Sequence, residues 1–157
     1  SMPDPIDREL LANSAIFADL DDDELDKIAS ICEARALKWG EYVFHEGDDG
    51  DRLYLITKGA VRISRNVPGT GEEAITVLKK GACFGEMAML DPSTRSTDAI
   101  VDSRCDLLTI ARTDFEALME SDRELAYKVL RAVIRILSER LRQTNDNLKS
   151  IFVIAMF

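Results

Sequence analysis

Histidine occurs once, at position 45. A metal centre of the usual several-histidine kind cannot be built from that. Serine hydrolysis would have to use His45, and no Gly-x-Ser-x-Gly elbow presents a serine to it. Cysteine is scarce too: Cys32, Cys83 and Cys105 are scattered, odd in number and form no CxxC pair. A disulfide framework or zinc site is not expected, and a reducing, cytoplasmic setting is. No apolar run reaches the ~18 residues of a membrane span, and no basic stretch leads into an apolar one as in a secretory signal. Basic side chains are in the minority, 20 against 29 acidic ones, for a formal net charge of −9. Such a field repels a phosphate backbone, so nucleic-acid binding by this chain is not expected. An anionic ligand would need a local pocket of opposite polarity. These absences point away from catalysis, metals and cofactors.

What remains is a chain of 157 residues with 46 % hydrophobic composition, the size of one ordinary domain with a core of its own. Residues 1–34 read as helical. Asp21-Asp22-Asp23-Glu24 precedes Leu25, Ile28 and Ala29, so carboxylates sit where a helix dipole favours them. Over 35–112 short apolar runs alternate with turn residues: Tyr42–Phe44, Leu53–Thr57, Ala60–Ser64, Ala74–Leu78, Ala99–Val101 and Leu107–Ala111. This predicts a small antiparallel β-barrel of the jelly-roll kind. Over 113–157 the period returns to helical, and from Ser121 onward neither Gly nor Pro occurs, so 121–157 reads as one long helix. The fold class is α+β, mainly β, with the barrel flanked by N-terminal helices and the long C-terminal helix.

Within that helix Ile134, Leu137, Leu141, Thr144, Leu148, Ile151 and Ala155 step alternately by three and four. The stripe suits either packing on the chain's own barrel or a coiled-coil homodimer, and we favour the latter. The apolar end, Ile151 to Phe157, should seek a partner unless the chain is a piece of a longer one. The opening Ser1-Met2 reads as a scar of cloning and fits the second view. The acidic run Glu46 to Asp51 lacks the calcium-loop pattern and reads as a solvated turn, and His45 as a strand residue.

The most unusual stretch is 84–97, between two strands. Phe84-Gly85-Glu86 breaks a strand, and Met87 to Leu90 has the length of one helical turn whose first amides could face an anion. Gly85 lets the backbone approach a ligand closely. Arg95 supplies a cation able to form paired bonds to phosphate oxygens. Glu86, a carboxylate beside a phosphate site, needs another task, and accepting from a ribose hydroxyl is one.

On these residues, Phe84-Gly85-Glu86-Met87-Ala88 with Arg95-Ser96, the chain resembles the phosphate-binding cassette of the cyclic-nucleotide-binding domain family, which includes the bacterial catabolite activator and the regulatory subunits of protein kinase A. Gly40 to Asp48, Leu53 to Ile56 and Gly59 to Val61 are similar to that family's barrel. Leu10-Leu11 and Phe17 to Leu20 are similar to its N-terminal helices. The resemblance implies a receptor for cAMP or cGMP, not an enzyme, that signals through its C-terminal helix to an unnamed effector. A ligand-free interaction module and the sensing part of a longer transcription regulator are the alternatives. By the same resemblance Glu86 would hold the ribose 2′-hydroxyl and Arg95 the exocyclic phosphate. Gly85 and the amides of Met87, Ala88 and Ser96 would line the phosphate, with Thr97 beside them. The Ser96 hydroxyl would serve the phosphate or a guanine amino group. Thr144 would meet the base within its own subunit, and Asn145 the base held by a partner subunit. Thr97-Asp98 departs from the family's usual small apolar residue and hydroxyl, and Asp98 is expected to face solvent.

Overall fold

The computed structural model describes residues 5–156, with every side chain except those of Pro5, Ile6 and Ala88. Ser1, Met2 and Phe157, which the sequence reading includes, lie outside the described residues.

Helix α1 (Pro5–Asn13) passes through a short 3-10 turn (Ala15–Phe17) to α2 (Asp22–Ser30). The acidic run starts α2 as a capping box. The Asp21 side chain accepts from the Glu24 amide at 2.9 Å, and Glu24 accepts from the Asp21 amide at 2.9 Å. Glu24 also accepts from Lys128 Nζ at 2.6 Å, which fastens α2 to the C-terminal helix.

The strands are β1 (Cys32–Leu37), β2 (Tyr42–Phe44), β3 (Arg52–Val67), β4 (Gly71–Lys79), β5 (Cys83–Phe84) and β6 (Asp98–Ala111). Two expectations need correction. Leu53–Thr57 and Ala60–Ser64 are halves of one strand, β3, and Ala99–Val101 and Leu107–Ala111 are halves of β6. Lys58-Gly59 is no turn but the centre of a bulged stretch, where the β3–β6 register shifts between Ile56 and Val61. Gly59 has φ +84°, and a Cβ on it would lie 2.1 Å from the Arg104 carbonyl oxygen, so only glycine lets the two long strands pass there.

The second correction concerns closure. The antiparallel ladders run β1-β6-β3-β4 as an open path, with β2 on β6 and β5 on β3, so the sheet is not a closed barrel. The reason lies in the two long strands. They pair with each other over almost their whole length. One half of the sheet, β5-β3-β6-β1, and the other, β4-β3-β6-β2, therefore hang from the same pair instead of meeting edge to edge. The bulges let the halves fold toward one another, and Leu37, Val43, Tyr54, Phe84, Val101 and Cys105, drawn from both, share one core cluster.

Alternation along the strands builds a second core. Leu53, Leu55, Leu108 and Ile110 face the helices, while Tyr54, Ile56 and Leu107 face the fold of the sheet. Helix α3 (Met87–Leu90) is a single turn, and α4 (Arg112–Ser121) leads into α5 (Arg123–Met156). One face of α5 buries Leu125, Val129 and Val133 in the helical core, with Ala132 buried beside them. The stripe of Ile134, Leu137, Leu141, Leu148 and Ile151 is exposed, and Tyr127 and Leu130 continue it toward the N-terminus in the same alternation. The stripe is therefore distinct from the face that packs on the domain. Among the described residues no helix is long and apolar enough to cross a membrane.

Candidate functional site

A cavity of about 390 Å³ opens between the cassette, strands β2 and β3, and α5. The cassette enters it from β5, where Phe84 pairs with Tyr54. Gly85 then turns the chain with φ +78°, and its missing side chain is used at once. A Cβ would stand 2.8 Å from Arg95 Nη1 and 3.0 Å from the Arg52 carbonyl oxygen. Beyond it, α3 is pinned by Met89, which is buried in the helical core.

Arg95 returns to the same place from the other side. The acidic turn is what holds its backbone: Arg95 N donates to Asp48 O at 2.7 Å, Gly47 N to Arg95 O at 2.9 Å, and Gly50 N to Ser93 O at 3.0 Å. The run read as a merely solvated turn thus has carboxylates in water and a backbone that positions the cassette. Asp98 does not simply face solvent either. Its Oδ1 accepts from the Glu46 amide at 2.7 Å, outside the cavity, and ties the same turn to β6.

Arg95 as a residue is only 6 % exposed. Nη2 donates to the Arg52 carbonyl at 2.6 Å and Nη1 to that of Gly85 at 3.3 Å. Its plane lies over Phe44, 4.4 Å from the ring centroid, with Tyr54 at 5.7 Å. Nε is buried without an acceptor, and among the described residues no carboxylate pairs with this cation. Glu86 is 8 % exposed. Its carboxylate accepts from Arg140 Nη2 of α5 at 2.5 Å.

Of the residues named from the sequence, Gly85, Glu86, Met87, Arg95, Ser96 and Thr97 all line this cavity, and Ala88 follows in α3. Thr144 and Asn145 do not. Both are exposed on α5, and the Thr144 hydroxyl donates to the Arg140 carbonyl of its own helix at 2.9 Å. The residue the sequence reading passed over is Arg140. Its signal was present: a carboxylate buried beside an anion site needs a cation, and Arg140 stands one helical turn before Thr144.

A second cavity of about 220 Å³ lies behind the first and shares Cys83, Glu86 and Arg140 with it. Burial, with a smaller push from the Glu86 carboxylate, raises the Cys83 thiol to about 12 and so disfavours its thiolate. Among the described residues no group of His, Cys, Asp and Glu is placed to hold a metal ion.

The model of the cyclic nucleotide-binding domain matches residues 34–122, which takes in the whole cassette. A "CRP-like cAMP-activated global transcriptional regulator" of Mycobacterium tuberculosis is 30 % identical over 140 residues, covering 89 % of this chain and 61 % of that protein. The chain thus spans about three fifths of that relative's length. Among solved structures, the N-terminal domain of a transcriptional regulator from Streptomyces coelicolor superposes with a TM-score of 0.78 at 33 % identity, covering 88 % of this chain and 94 % of that one. The regulatory domain of Toxoplasma gondii PKA, solved with cAMP, gives 0.66 at 29 % identity over 71 % of this chain and 42 % of that one. A long bulged strand pair, a glycine-turned cassette and a buried, unpaired arginine are therefore features of a chain that belongs to the cyclic nucleotide-binding domain family.

Proposed function

We propose that this chain is a non-catalytic receptor for a cyclic mononucleotide, cAMP first and cGMP second, that reports occupancy through α5. The observation that carries the reading is Arg95: a cation almost wholly removed from water, bonded to carbonyls and stacked on a ring, with no carboxylate paired to it among the described residues. Burying an uncompensated charge costs several kcal/mol. A site that tolerates this is arranged for an anion supplied from outside.

In this reading the phosphate docks on Arg95 and on the amides of Met87, Ala88 and Ser96, with Gly85 allowing the close approach. Glu86 receives the ribose 2′-hydroxyl, and Ser96 and Thr97 offer hydroxyls to phosphate or base. Because Glu86 is held by Arg140, a ribose arriving there must share or displace a contact of α5. Nucleotide affinity and helix position are then coupled, each altering the other by the same factor. Thr144 and Asn145 would reach the base only after α5 moves or from a second subunit. The exposed stripe from Tyr127 to Ile151 supports a homodimer through that helix. The M. tuberculosis and T. gondii relatives both carry cAMP in their descriptions, which favours adenine. A role as the sensing part of a longer regulator fits the chain's share of its relatives' length.

Titration calorimetry with cAMP and cGMP tests the reading. Saturable one-per-chain binding of either, abolished or strongly weakened by Arg95→Ala, is the expected result. No uptake of either nucleotide by the folded protein would end it.

A further inference from the structure

The smaller cavity is walled by parts of the chain that take no share in the phosphate site: the end of α1 with the 3-10 turn after it, Gly81 ahead of β5, and Ile136 of α5. It meets the nucleotide cavity only at Cys83, Glu86 and Arg140.

One of its walls holds a hydroxyl without a task. Ser14 stands directly before the 3-10 turn, where a serine ordinarily turns its oxygen back onto a free amide, and it makes no such bond. The residue is 4 % exposed, and its Oγ has no hydrogen-bond partner among the described residues. It acts on the Cys83 thiol, a weak acceptor in the same wall, without reaching hydrogen-bond geometry. A buried hydroxyl left in that state costs free energy that an acceptor arriving in the cavity would return.

The second polar group is Arg140. Its guanidinium has five N–H donors, and among the described residues only Nη2 is engaged, by Glu86. Ile16 and Ile136 supply apolar wall. We propose that this cavity is a second ligand site, for a small organic carboxylate, and that its occupant acts on the nucleotide site through Arg140. The carboxylate would accept from the guanidinium and from the Ser14 hydroxyl, with a short apolar body against the two isoleucines. A volume of about 220 Å³ holds about seven water-sized groups at about 30 Å³ each, so that body is a few carbons long. An amine is the weaker match, because its charge would stand beside that of Arg140. Glu86 lines the cavity too, so the incoming carboxylate must share Arg140 with it or take it over. Either outcome loosens the hold on Glu86 and leaves its oxygens to the ribose. Carboxylate and nucleotide should then strengthen each other by one factor. This coupling rests on the proposed nucleotide role of Glu86; the cavity and its ligand do not.

Amide spectra of the whole chain, ¹⁵N-labelled and titrated with butyrate in the absence of nucleotide, test the site. Shifts that saturate in the millimolar range at Ser14, Ile16 and Gly81 are expected. Ser14→Ala, which removes only a hydroxyl lacking a partner, should melt no lower than the wild type, keep its nucleotide affinity, and weaken butyrate at least ~5-fold. Arg140→Gln should abolish the saturation. Shifts confined to Arg95, Ser96 and Thr97 would place the carboxylate in the nucleotide cavity and overturn the proposal. Unsaturable shifts, equal affinity for butyramide or butylamine, or a Ser14→Ala variant that binds butyrate unchanged would overturn it as well. Saturating butyrate should raise cAMP affinity about fivefold. Butyrate bound at Ser14 with cAMP affinity unchanged would overturn the coupling. A chain that takes up butyrate there but no cyclic nucleotide would sink the receptor reading and leave the site standing.

Discussion

Arg140 on α5 and Glu86 in the cassette, 54 positions apart in the chain, share a hydrogen bond of 2.5 Å. The Glu86 side chain is 11 % exposed and that of Arg140 54 %. The carboxylate side chain is therefore largely desolvated, while that of Arg140 stays about half in water. A contact so divided suits a latch whose mobile part is the helix.

The latch can be measured by a double-mutant cycle. Glu86→Gln, Arg140→Gln and the double variant, unfolded in urea without nucleotide, should give a coupling of about 1–2 kcal/mol. That is below the several kcal/mol of a fully buried pair because water reaches Arg140. Amide exchange in α5 around Arg140 should quicken in each single variant. A coupling within about 0.3 kcal/mol of zero would mean that the contact does not hold the helix.

Arg95 should behave in the opposite way to a structural arginine. Its Nε has no acceptor and its charge no counter-ion, so the empty protein tolerates it at a cost. Arg95→Met keeps the length of the stem over Phe44 and removes the charge. Its ligand-free stability should lie within about 1 kcal/mol of the wild type or above it. Nucleotide binding should fall by about 2–5 kcal/mol, the loss expected when a buried ionic partner is removed. Thermal melts with and without cAMP read both quantities at once. A variant that melts far lower yet still responds to nucleotide would make Arg95 a structural residue.

The cassette was legible because its chemistry is local: a glycine, a carboxylate and an arginine within eleven positions define the site before any coordinates do. The helical ends were legible from periodicity and from the acidic start of α2. What was not legible depends on pairs distant in sequence. Lys58-Gly59 has the composition of a turn, and only the Arg104 carbonyl across from it reveals a bulge inside one long strand. Strand β1 begins at Cys32, inside the stretch read as helical, because its register is set by β6 some seventy residues later. Arg140 lies within the stretch read as one long helix and has no task legible there, since its partner lies on another element. The open sheet follows from the same cause, as a jelly-roll pattern of short strands does not say which of them are continuous.

Gly59 offers a test of that bulge. Alanine there would need φ near +84° and would place Cβ 2.1 Å from a backbone oxygen that has no room to retreat. The cost should exceed about 3 kcal/mol, beyond the ~1 kcal/mol of the backbone conformation alone. Gly40→Ala is the control, with a similar φ of +82° and open space around it, and should cost about 1 kcal/mol. Urea midpoints of the two variants give the comparison. Equal midpoints would show that the strands can separate at the bulge without penalty.

The junction between α4 and α5 should give the fold a specific dependence on pH. Asp122 Oδ1 accepts from the Leu125 amide at 3.0 Å and so caps α5, while Oδ2 accepts from Lys27 Nζ at 2.7 Å. The Lys27 bond first, and the Leu125 amide second, lower the carboxyl below its ordinary value of 3.8. A carboxyl lowered on folding binds fewer protons in the native state than in the unfolded one. Its contribution is therefore present above 3.8 and is lost as pH falls through the lower native value. Lys27 is raised above 10.5 by the same bond, so its share persists through neutral pH and fades only in strong alkali. Asp122→Asn keeps a capping oxygen but removes the charge. The difference in urea midpoint between wild type and variant should be steady from neutral pH down to about 5 and narrow as pH falls below 3.8. A difference that stayed constant across that range would show that the Asp122 charge, and with it the ion pair to Lys27, has no share in holding α5.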